Sequence, residues 1–311
     1  MKIVTLTVNA ALDISTAVDK LLPEAKLRCE APRYDPGGGG VNVARVIKRL
    51  GGEALAVLQS SGSPGAKIEQ LLQGEGVAYQ SVPTQEWTRE SVTVLDKGNG
   101  LQYRFVLPGP TLSEAECQAF FQAIRDLPEV PAFLVGSGSL PPGVPVSFYA
   151  DLAQLAKELD TKLIVDTSGP GLKAAVEAGV FMIKPNLKEL SALTGKAEVV
   201  HEEQEAMAKQ LIAEGKCEMV VVSLGARGAM LASREGIVYA TPPTVKVRST
   251  VGAGDSMVAG MVWALAQGWD CRRVLQYGVA CGTATTMNEG TGLCQKQDVE
   301  AIFRILQEQV L

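Results

Sequence analysis

Residues 249–257 combine small, flexible residues with one acidic side chain in the order Ser-Thr-Val-Gly-Ala-Gly-Asp-Ser-Met. Apolar residues then recur at helical spacing from Met257 to Leu265, which places Gly252 and Asp255 at a helix N-terminus. Unpaired backbone N–H groups and the helix dipole favour an anion there. An aspartate in the same turn can take a proton from a hydroxyl beside that anion. These features suit phosphoryl transfer to an alcohol, although an aspartate that only caps its own helix gives the same pattern.

A run of four glycines, residues 37–40, leads into a second predicted helix. Consecutive glycines cost backbone entropy, so such a loop is expected where the chain must approach a ligand closely. Asn42 adds a side-chain donor and acceptor at the same place. The alternative is a tight crossover loop without a ligand. The chain contains neither GxxxxGK[ST] nor GxGxxG, which disfavours the usual P-loop and Rossmann sites.

Three further segments place polar residues after predicted strands. Asn186 and Glu189 open a helix three residues apart, which suits either a water-mediated Mg²⁺ site or a helix cap. Residues 220–229 run from an apolar strand into a glycine turn, where either a nucleotide or a plain β-turn fits. Residues 133–143 follow the same pattern with serines. Ligands gather at the carboxyl ends of strands in doubly wound sheets.

Composition excludes several classes of function. The 311 residues carry a net charge of −5 without a basic run, so nucleic acid is not an expected partner. No apolar run approaches the ~18 residues of a membrane span, and the β-rich N-terminus does not resemble a signal peptide, which predicts a cytoplasmic location. The single histidine, His201, and six cysteines without a CxxC pair disfavour zinc clusters and Ser-His-Asp or Cys-His catalysis.

Short apolar runs alternate with amphipathic stretches along most of the chain. This alternation predicts one α/β domain, with a mainly parallel central sheet and helices on both faces. The predicted strands are residues 3–8, 54–58, 133–135, 163–165, 181–183 and 219–222, and the predicted helices are residues 41–50, 66–73, 114–127, 148–159, 204–214, 254–267, 272–287 and 299–309.

Two segments, about 13–35 and 88–108, interrupt the alternation. Residues 91–96 and 101–106 flank a Lys-Gly-Asn-Gly turn, which is typical of a β-hairpin. We therefore expect a small antiparallel β lid beside the main sheet. Because such a flap exposes strand edges that a second copy could cover, we also expect a homodimer. Residues 236–240 predict a further antiparallel strand near the C-terminus.

Together these motifs resemble the PfkB-type carbohydrate kinases of the ribokinase superfamily over nearly the whole chain. The glycine run with Asn42, the segment from Asn186 to Glu189, and residues 249–256 match three ordered family motifs. Within the family, residues 23–29, 87–89 and 103–109 are similar to the minor-type bacterial 6-phosphofructokinases. The 1-phosphofructokinase and tagatose-phosphate branches are close.

The resemblance implies a set of site residues. Asp255 would be the general base, and the amides of Gly252, Ala253 and Gly254 would stabilise the transferring phosphoryl group. The sugar phosphate would contact Asp13, Gly38, Gly39, Asn42, Ser139 and Arg89, with Lys26 and Arg28 reaching it from the lid. ATP would contact Lys184, Asn186, Ser223, Gly225 and Gly228. Glu189 would order Mg²⁺ through water, and carbonyls of Ser249, Val251, Asn288 and Gly290 would hold a monovalent cation, K⁺.

The implied activity is ATP- and Mg²⁺-dependent phosphorylation of the 1-hydroxyl of fructose 6-phosphate, giving fructose 1,6-bisphosphate. A tagatose 6-phosphate kinase or a 1-phosphofructokinase is the alternative within the family. An alternative of another class is a non-catalytic sensor of sugar phosphate or nucleotide. Retention of Asp255 beside the glycine turn argues against the sensor.

Overall fold

The computed structural model describes residues 2–195 and 203–308, so His201 lies outside the described residues. The strands are β1 (Ile3–Thr7), β2 (Ala11–Val18), β3 (Arg33–Gly37), β4 (Leu55–Gln59), β5 (Ala78–Val82), β6 (Arg89–Asp96), β7 (Leu101–Val106), β8 (Phe133–Ser137), β9 (Lys162–Asp166), β10 (Val180–Ile183), β11 (Cys217–Ser223), β12 (Ala229–Ser233) and β13 (Gly236–Ala240). The helices are α1 (Gly39–Arg49), α2 (Gly62–Gly74), α3 (Glu114–Arg125), α4 (Phe148–Glu158), α5 (Gly169–Ala178), α6 (Leu187–Thr194), α7 (Gln204–Ala213), α8 (Ala253–Ala266), α9 (Cys271–Thr286) and α10 (Lys296–Glu308).

In the part of the chain that the structure describes, nine strands form the main sheet in the order β13-β12-β11-β10-β9-β8-β1-β4-β5. The pairings from β5 to β11 are parallel, and β12 and β13 add antiparallel at one edge. Successive side chains of a strand point to opposite faces. In β8, Leu134 therefore joins one buried apolar cluster and Val135 the other. Helices cover both faces, which confirms the predicted architecture and explains why these strands are continuously apolar.

A second sheet has four strands in the order β3-β2-β6-β7 and forms the predicted lid. Its outer pairings, β2 with β3 and β6 with β7, are antiparallel, as expected for neighbouring strands joined by a turn or loop. The central pairing of β2 with β6 is parallel, which the sequence did not predict. Between these two strands the chain passes through α1, β4, α2 and β5 of the main body. When the chain returns to the lid, β6 runs in the same direction as β2.

Among the described residues, three elements were not predicted from sequence patterns. The edge strand β5 is only partly buried and includes the polar residues Gln80 and Ser81, so its apolar signal is weak. Helix α5 begins Gly-Pro-Gly, a turn signature that masks the apolar residues behind it. The strand β12 begins directly after the turn that ends at Gly228, so its apolar residues do not form a separate pattern in the sequence. Within the described residues no helix is long and apolar enough to cross a membrane.

Candidate active site

Helix α8 begins at the glycine turn singled out in the sequence. Its N-cap, Gly252, has a left-handed backbone with φ 74°, and a Cβ there would lie 2.7 Å from Cδ2 of Leu293. Both facts favour glycine at this position. The described hydrogen bond to the Asp255 carboxylate comes from Asn42 rather than from its own helix. The helix-cap alternative for Asp255 is therefore not what the structure contains.

The glycine run brings α1 against the ends of β1 and β8. A Cβ on Gly39 would collide with Oγ of Ser137, and one on Gly40 would collide with Oγ1 of Thr7. Gly38 has φ 110°, a conformation that few other residues adopt. This close approach places Nδ2 of Asn42 2.8 Å from Oδ2 of Asp255. Residues 213 positions apart in the chain thus meet at one point.

The electrostatic environment raises the pKa of two carboxyl groups. Burial raises the pKa of Asp255 to about 6, the nearby charge of Asp166 adds to the rise, and the hydrogen bond from Asn42 and the charge of Lys184 oppose it. Burial also raises the pKa of Asp13 to about 6, against the lowering effect of Arg89. A carboxylate with a pKa near neutrality is both available and basic enough to accept a proton from a bound hydroxyl.

Lys184 follows β10 and is almost wholly buried beside Asp166, the last residue of β9. Nζ of Lys184 lies 3.2 Å from Oδ1 of Asp166. Burial alone would lower the pKa of Lys184, but the charge and hydrogen bond of Asp166 raise it above its usual value, so the ammonium stays protonated. Asp166 was not among the residues predicted from the sequence motifs. Its position at the carboxyl end of a buried apolar run was the available signal.

Asn9 connects two of the residues predicted to contact the sugar phosphate. Its Nδ2 donates to Oγ of Ser139 over 3.0 Å, and its backbone carbonyl accepts from Nη2 of Arg89 over 3.5 Å. Nη1 of Arg89 donates to Oγ of Ser91 over 3.3 Å, whereas its buried Nε has no partner among the described residues. The guanidinium is thus held in place with weak contacts and retains capacity for an anion. Asn9, which follows β1, was also missed by sequence analysis.

Two adjoining cavities meet at Lys184. The larger, about 470 Å³, is lined by predicted ATP contacts and by the start of α8, with Lys184, Ser223, Gly225, Gly228, Ala253 and Gly254 among its walls. The smaller, about 270 Å³, contains Gly39, Ser139, Asp166, Asn186, Glu189 and Asp255. A mostly apolar cavity opening into a polar cleft at the carboxyl ends of strands suits a nucleotide with its phosphates.

Asn186 and Glu189 form a capping box at the start of α6. The backbone N–H of Asn186 donates to Oε2 of Glu189, and the backbone N–H of Glu189 donates to Oδ1 of Asn186, both over 2.9 Å. The structure therefore contains the helix cap that the sequence allowed.

Glu189 and Asp166 also line the smaller cavity, and Mg²⁺ is usually held by one or two carboxylates together with substrate phosphates and water. The carboxylates of Glu189 and Asp166 therefore fit an Mg²⁺ ion that is bound together with phosphates and water. Among residues 2–195 and 203–308 no cluster of three or more acidic, histidine or cysteine side chains could hold a metal alone.

The sequence pattern that defines the pfkB family carbohydrate kinases matches residues 5–298. The chain belongs to this family. This pfkB kinase is 43% identical to the ATP-dependent 6-phosphofructokinase isozyme 2 of Mycobacterium tuberculosis, over 99% of this chain and 90% of that protein. It is 41% identical to the protein of the same name from Escherichia coli, over 98% of this chain and 99% of the relative.

Solved structures give the same result for the fold. Phosphofructokinase-2 from Escherichia coli in complex with potassium superposes with a TM-score of 0.94 at 41% identity, over 98% of this chain and 99% of that one. The complex of the same enzyme with fructose-6-phosphate gives 0.93 at 39% identity, with the same coverage. This pfkB kinase therefore has the ribokinase-like fold expected from its sequence, and as a member of its family it is a carbohydrate kinase.

The remaining predicted residues of this pfkB kinase lie in three loops, before α8, after α9 and between β2 and β3. Ser249 and Gly290 are adjacent, because Oγ of Ser249 donates to the carbonyl of Gly290 over 2.7 Å. The backbone N–H of Val251 in turn donates to Oγ of Ser249 over 3.3 Å. Lys26 and Arg28 lie exposed in the connection from β2 to β3, and no described contact joins them to the cleft.

Proposed function

We propose that this pfkB kinase transfers the γ-phosphoryl group of ATP to the 1-hydroxyl of fructose 6-phosphate, giving fructose 1,6-bisphosphate and ADP. The observation that carries the proposal is the position of Asp255. Its carboxylate, paired with Asn42 at 2.8 Å, lies at the N-terminus of α8 in the cleft beside the nucleotide-sized cavity. The names of the two relatives, which cover nearly all of this chain, support fructose 6-phosphate as the acceptor.

Asp255 accepts the proton of the sugar hydroxyl as the oxygen of that hydroxyl forms its bond to phosphorus. The bond between the γ-phosphorus and the bridging oxygen breaks, and that oxygen leaves with ADP. The backbone N–H groups of Gly252, Ala253 and Gly254 stabilise the charge that develops on the transferring group. Before substrate binds, the N–H of Ala253 donates to the carbonyl of Thr250 over 3.3 Å. Since the protein forms no covalent bond in such a reaction, positioning and charge neutralisation supply the rate acceleration.

Arg89 binds the 6-phosphate of the sugar. A planar guanidinium matches phosphate oxygens with paired hydrogen bonds, and that of Arg89 has a buried Nε without a partner among the described residues. The sugar hydroxyls contact a set of side chains and amides beside it, namely Asp13, Gly38, Gly39, Asn42 and Ser139.

The nucleotide occupies the larger cavity, with Ser223, Gly225 and Gly228 at one end and Lys184 at the phosphates. Asn186 lies in the adjoining cleft, and Glu189 holds Mg²⁺ through water. When bound, Mg²⁺ neutralises phosphate charge. A monovalent cation, K⁺, binds to carbonyls near the hydrogen bond between Ser249 and Gly290, with Val251 and Asn288 supplying further oxygens.

The lid carries the expected dimer contact. The edge strand β7 exposes Leu101, Phe105 and Val106, each at least half accessible to solvent. An edge strand with exposed apolar side chains is a surface that a second copy can cover. In such a dimer Lys26 and Arg28 reach a substrate. The cytoplasmic location and the single domain with a lid remain predictions from sequence.

The deciding experiment measures ADP release with Mg²⁺ and K⁺ for fructose 6-phosphate, tagatose 6-phosphate, fructose 1-phosphate and ribose. We expect the highest kcat/KM for fructose 6-phosphate, and a kcat lower by about 10²–10⁴-fold in Asp255→Asn. Asp270→Asn is the matched control, because the side chain of Asp270 caps α9 and asparagine caps equally well. A preference for another sugar would change the proposed acceptor. No turnover with any of these sugars would favour a non-catalytic sensor of sugar phosphate or nucleotide.

A further inference from the structure

Arg45 is a buried arginine in the middle of α1, only 1% exposed, that the proposed chemistry does not use. A guanidinium has five N–H donors. All five donate to acceptors within the protein. The acceptors are Oε2 and Oε1 of Glu75 at 2.9 and 2.6 Å, the carbonyl of Pro36 at 2.8 Å, and Oδ1 of both Asn42 and Asp35 at 3.5 Å.

The contacts of Asn42 with Arg45 and with Asp255 together fix which way its amide faces. Arg45 can only donate, so it must meet the oxygen of the amide, and Nη1 of Arg45 lies 3.5 Å from Oδ1 of Asn42. The amide nitrogen then faces the opposite side, where Nδ2 donates to Oδ2 of Asp255 over 2.8 Å. Asn42 is itself 8% exposed and therefore has little water to help orient it.

The paired hydrogen bonds with Glu75 fix the guanidinium in this position. Glu75 follows the end of α2 and is 30% exposed, so one partner of this ion pair is wholly buried and the other reaches the surface. The bond to the Pro36 carbonyl adds a second link, because Pro36 directly precedes the glycine run. Arg45 thus connects α2, the lid strand β3 and the glycine loop.

We propose that Arg45 is a positioning residue for the transfer reaction, which orients the amide of Asn42 so that it donates to the catalytic base. The inference rests on the proposed role of Asp255. It does not depend on which sugar accepts the phosphoryl group.

The proposal predicts a change in the pH dependence of turnover. A hydrogen bond donated to a carboxylate favours the charged form, so losing it raises the pKa of Asp255. On the acid side of the pH profile, kcat falls as Asp255 becomes protonated. This acid limb of kcat then moves to higher pH. The charged groups that face Asp255 are Asp166 from β9, Lys184 after β10 and Asp13 from β2, and all three remain when Arg45 changes.

The test compares Arg45→Lys, Asn42→Ala and the double variant with the wild type, measuring kcat from pH 5 to 8 at saturating sugar phosphate. Lysine keeps the positive charge, which separates hydrogen bonding from long-range electrostatics. We expect each single variant to move the acid limb upward by about half a pH unit, and Arg45→Lys to lower kcat by about 2- to 10-fold. The double variant should show no more shift than Asn42→Ala alone, because both act through one hydrogen bond.

Arg49→Lys is the matched control, since Arg49 lies one turn further along α1, 3.9 Å from the same Glu75 carboxylate, and has no described contact with Asn42. Its acid limb should stay at the wild-type position. An unshifted limb in Arg45→Lys, even with a lower melting temperature, would identify a purely structural arginine and overturn the proposal. Additive shifts in the double variant would do the same.

If Arg45→Lys does not fold, Glu75→Gln is the alternative variant, because it weakens the paired hydrogen bonds that fix the Arg45 guanidinium. It should shift the acid limb of kcat in the same direction, but by less. An unshifted limb there would equally overturn the proposal. All assays use whichever sugar phosphate the wild type phosphorylates. An incorrect assignment of fructose 6-phosphate would therefore be seen in the wild type and would leave the Arg45 result interpretable.

Discussion

Nζ of Lys184 lies 3.2 Å from Oδ1 of Asp166, at the carboxyl ends of the neighbouring strands β10 and β9. The pair sets the charge of the cleft. Asp166 keeps the buried ammonium protonated and, through its negative charge, also raises the pKa of Asp255. Lys184 acts on Asp255 in the opposite sense. The basicity of Asp255 therefore depends on a carboxylate outside the family motifs seen in the sequence.

Asp166→Asn tests this dependence. Removing the charge of Asp166 removes a repulsion that raises the pKa of Asp255, so the acid limb of kcat should move to lower pH by about 0.5–1 unit. This direction is opposite to that expected for Arg45→Lys. Steady-state turnover between pH 5 and 8 measures it. Asp160→Asn, just before the other end of β9, is the control, and a limb at the same or higher pH in Asp166→Asn would contradict the prediction.

Asp255→Asn should stabilise the protein at neutral pH while it removes activity. The pKa of Asp255 is about 6 in the folded protein and 3.8 in its ordinary state, so the folded state binds the proton more tightly. The protonated carboxyl therefore favours folding at low pH, and this contribution is lost as the pH rises from about 4 to 6. At pH 7.5 the buried charge is a cost that asparagine removes.

Thermal unfolding provides the measurement. We expect the melting temperature of Asp255→Asn to exceed that of the wild type by about 2–5 °C at pH 7.5, and by less at pH 4.5. Asp270→Asn should behave like the wild type at both values. A lower melting temperature at pH 7.5 would mean that the charged carboxylate is well compensated in the folded state.

Arg89→Ala should weaken sugar-phosphate binding more than it slows chemistry. Among residues 2–195 and 203–308 the guanidinium makes only contacts of 3.3–3.5 Å, so its removal leaves few broken internal bonds. The KM for the sugar phosphate should rise by about 10- to 100-fold, as expected for lost hydrogen bonds between charged groups. The surface residue Arg125, paired with Glu158, gives the control variant Arg125→Ala. An unchanged KM would remove Arg89 from the phosphate site.

Glu189→Gln separates the two interpretations of the capping box. Glutamine can still accept the backbone hydrogen bond at this position, so the cap of α6 and the melting temperature should be retained. The carboxylate charge is lost, and the Mg²⁺ concentration needed for half-maximal rate should rise several-fold. The control is Glu116→Gln, which changes the same residue in the equivalent capping box of α3. Identical Mg²⁺ dependence in both variants would leave Glu189 with a capping role alone.

Local sequence was sufficient for the family, the parallel sheet with its helices, and the lid. The reason is that these features depend on short-range patterns. Apolar runs mark buried strands, and glycines mark loops that approach something closely, as Gly39 does with Ser137. The start of α8 was predictable for the same reason, since Gly252 and Asp255 are neighbours in the chain.

Tertiary structure alone revealed the contacts between distant segments. The pairing of Asn42 with Asp255 spans 213 positions, and that of Arg45 with Glu75 depends on how α1 packs beside the end of α2. The parallel pairing of β2 with β6 likewise follows from the path of the chain through the main body. Sequence determined which residues could do the chemistry. Packing decided which of them meet and, through burial and neighbouring charge, raised the pKa of Asp255 towards neutrality.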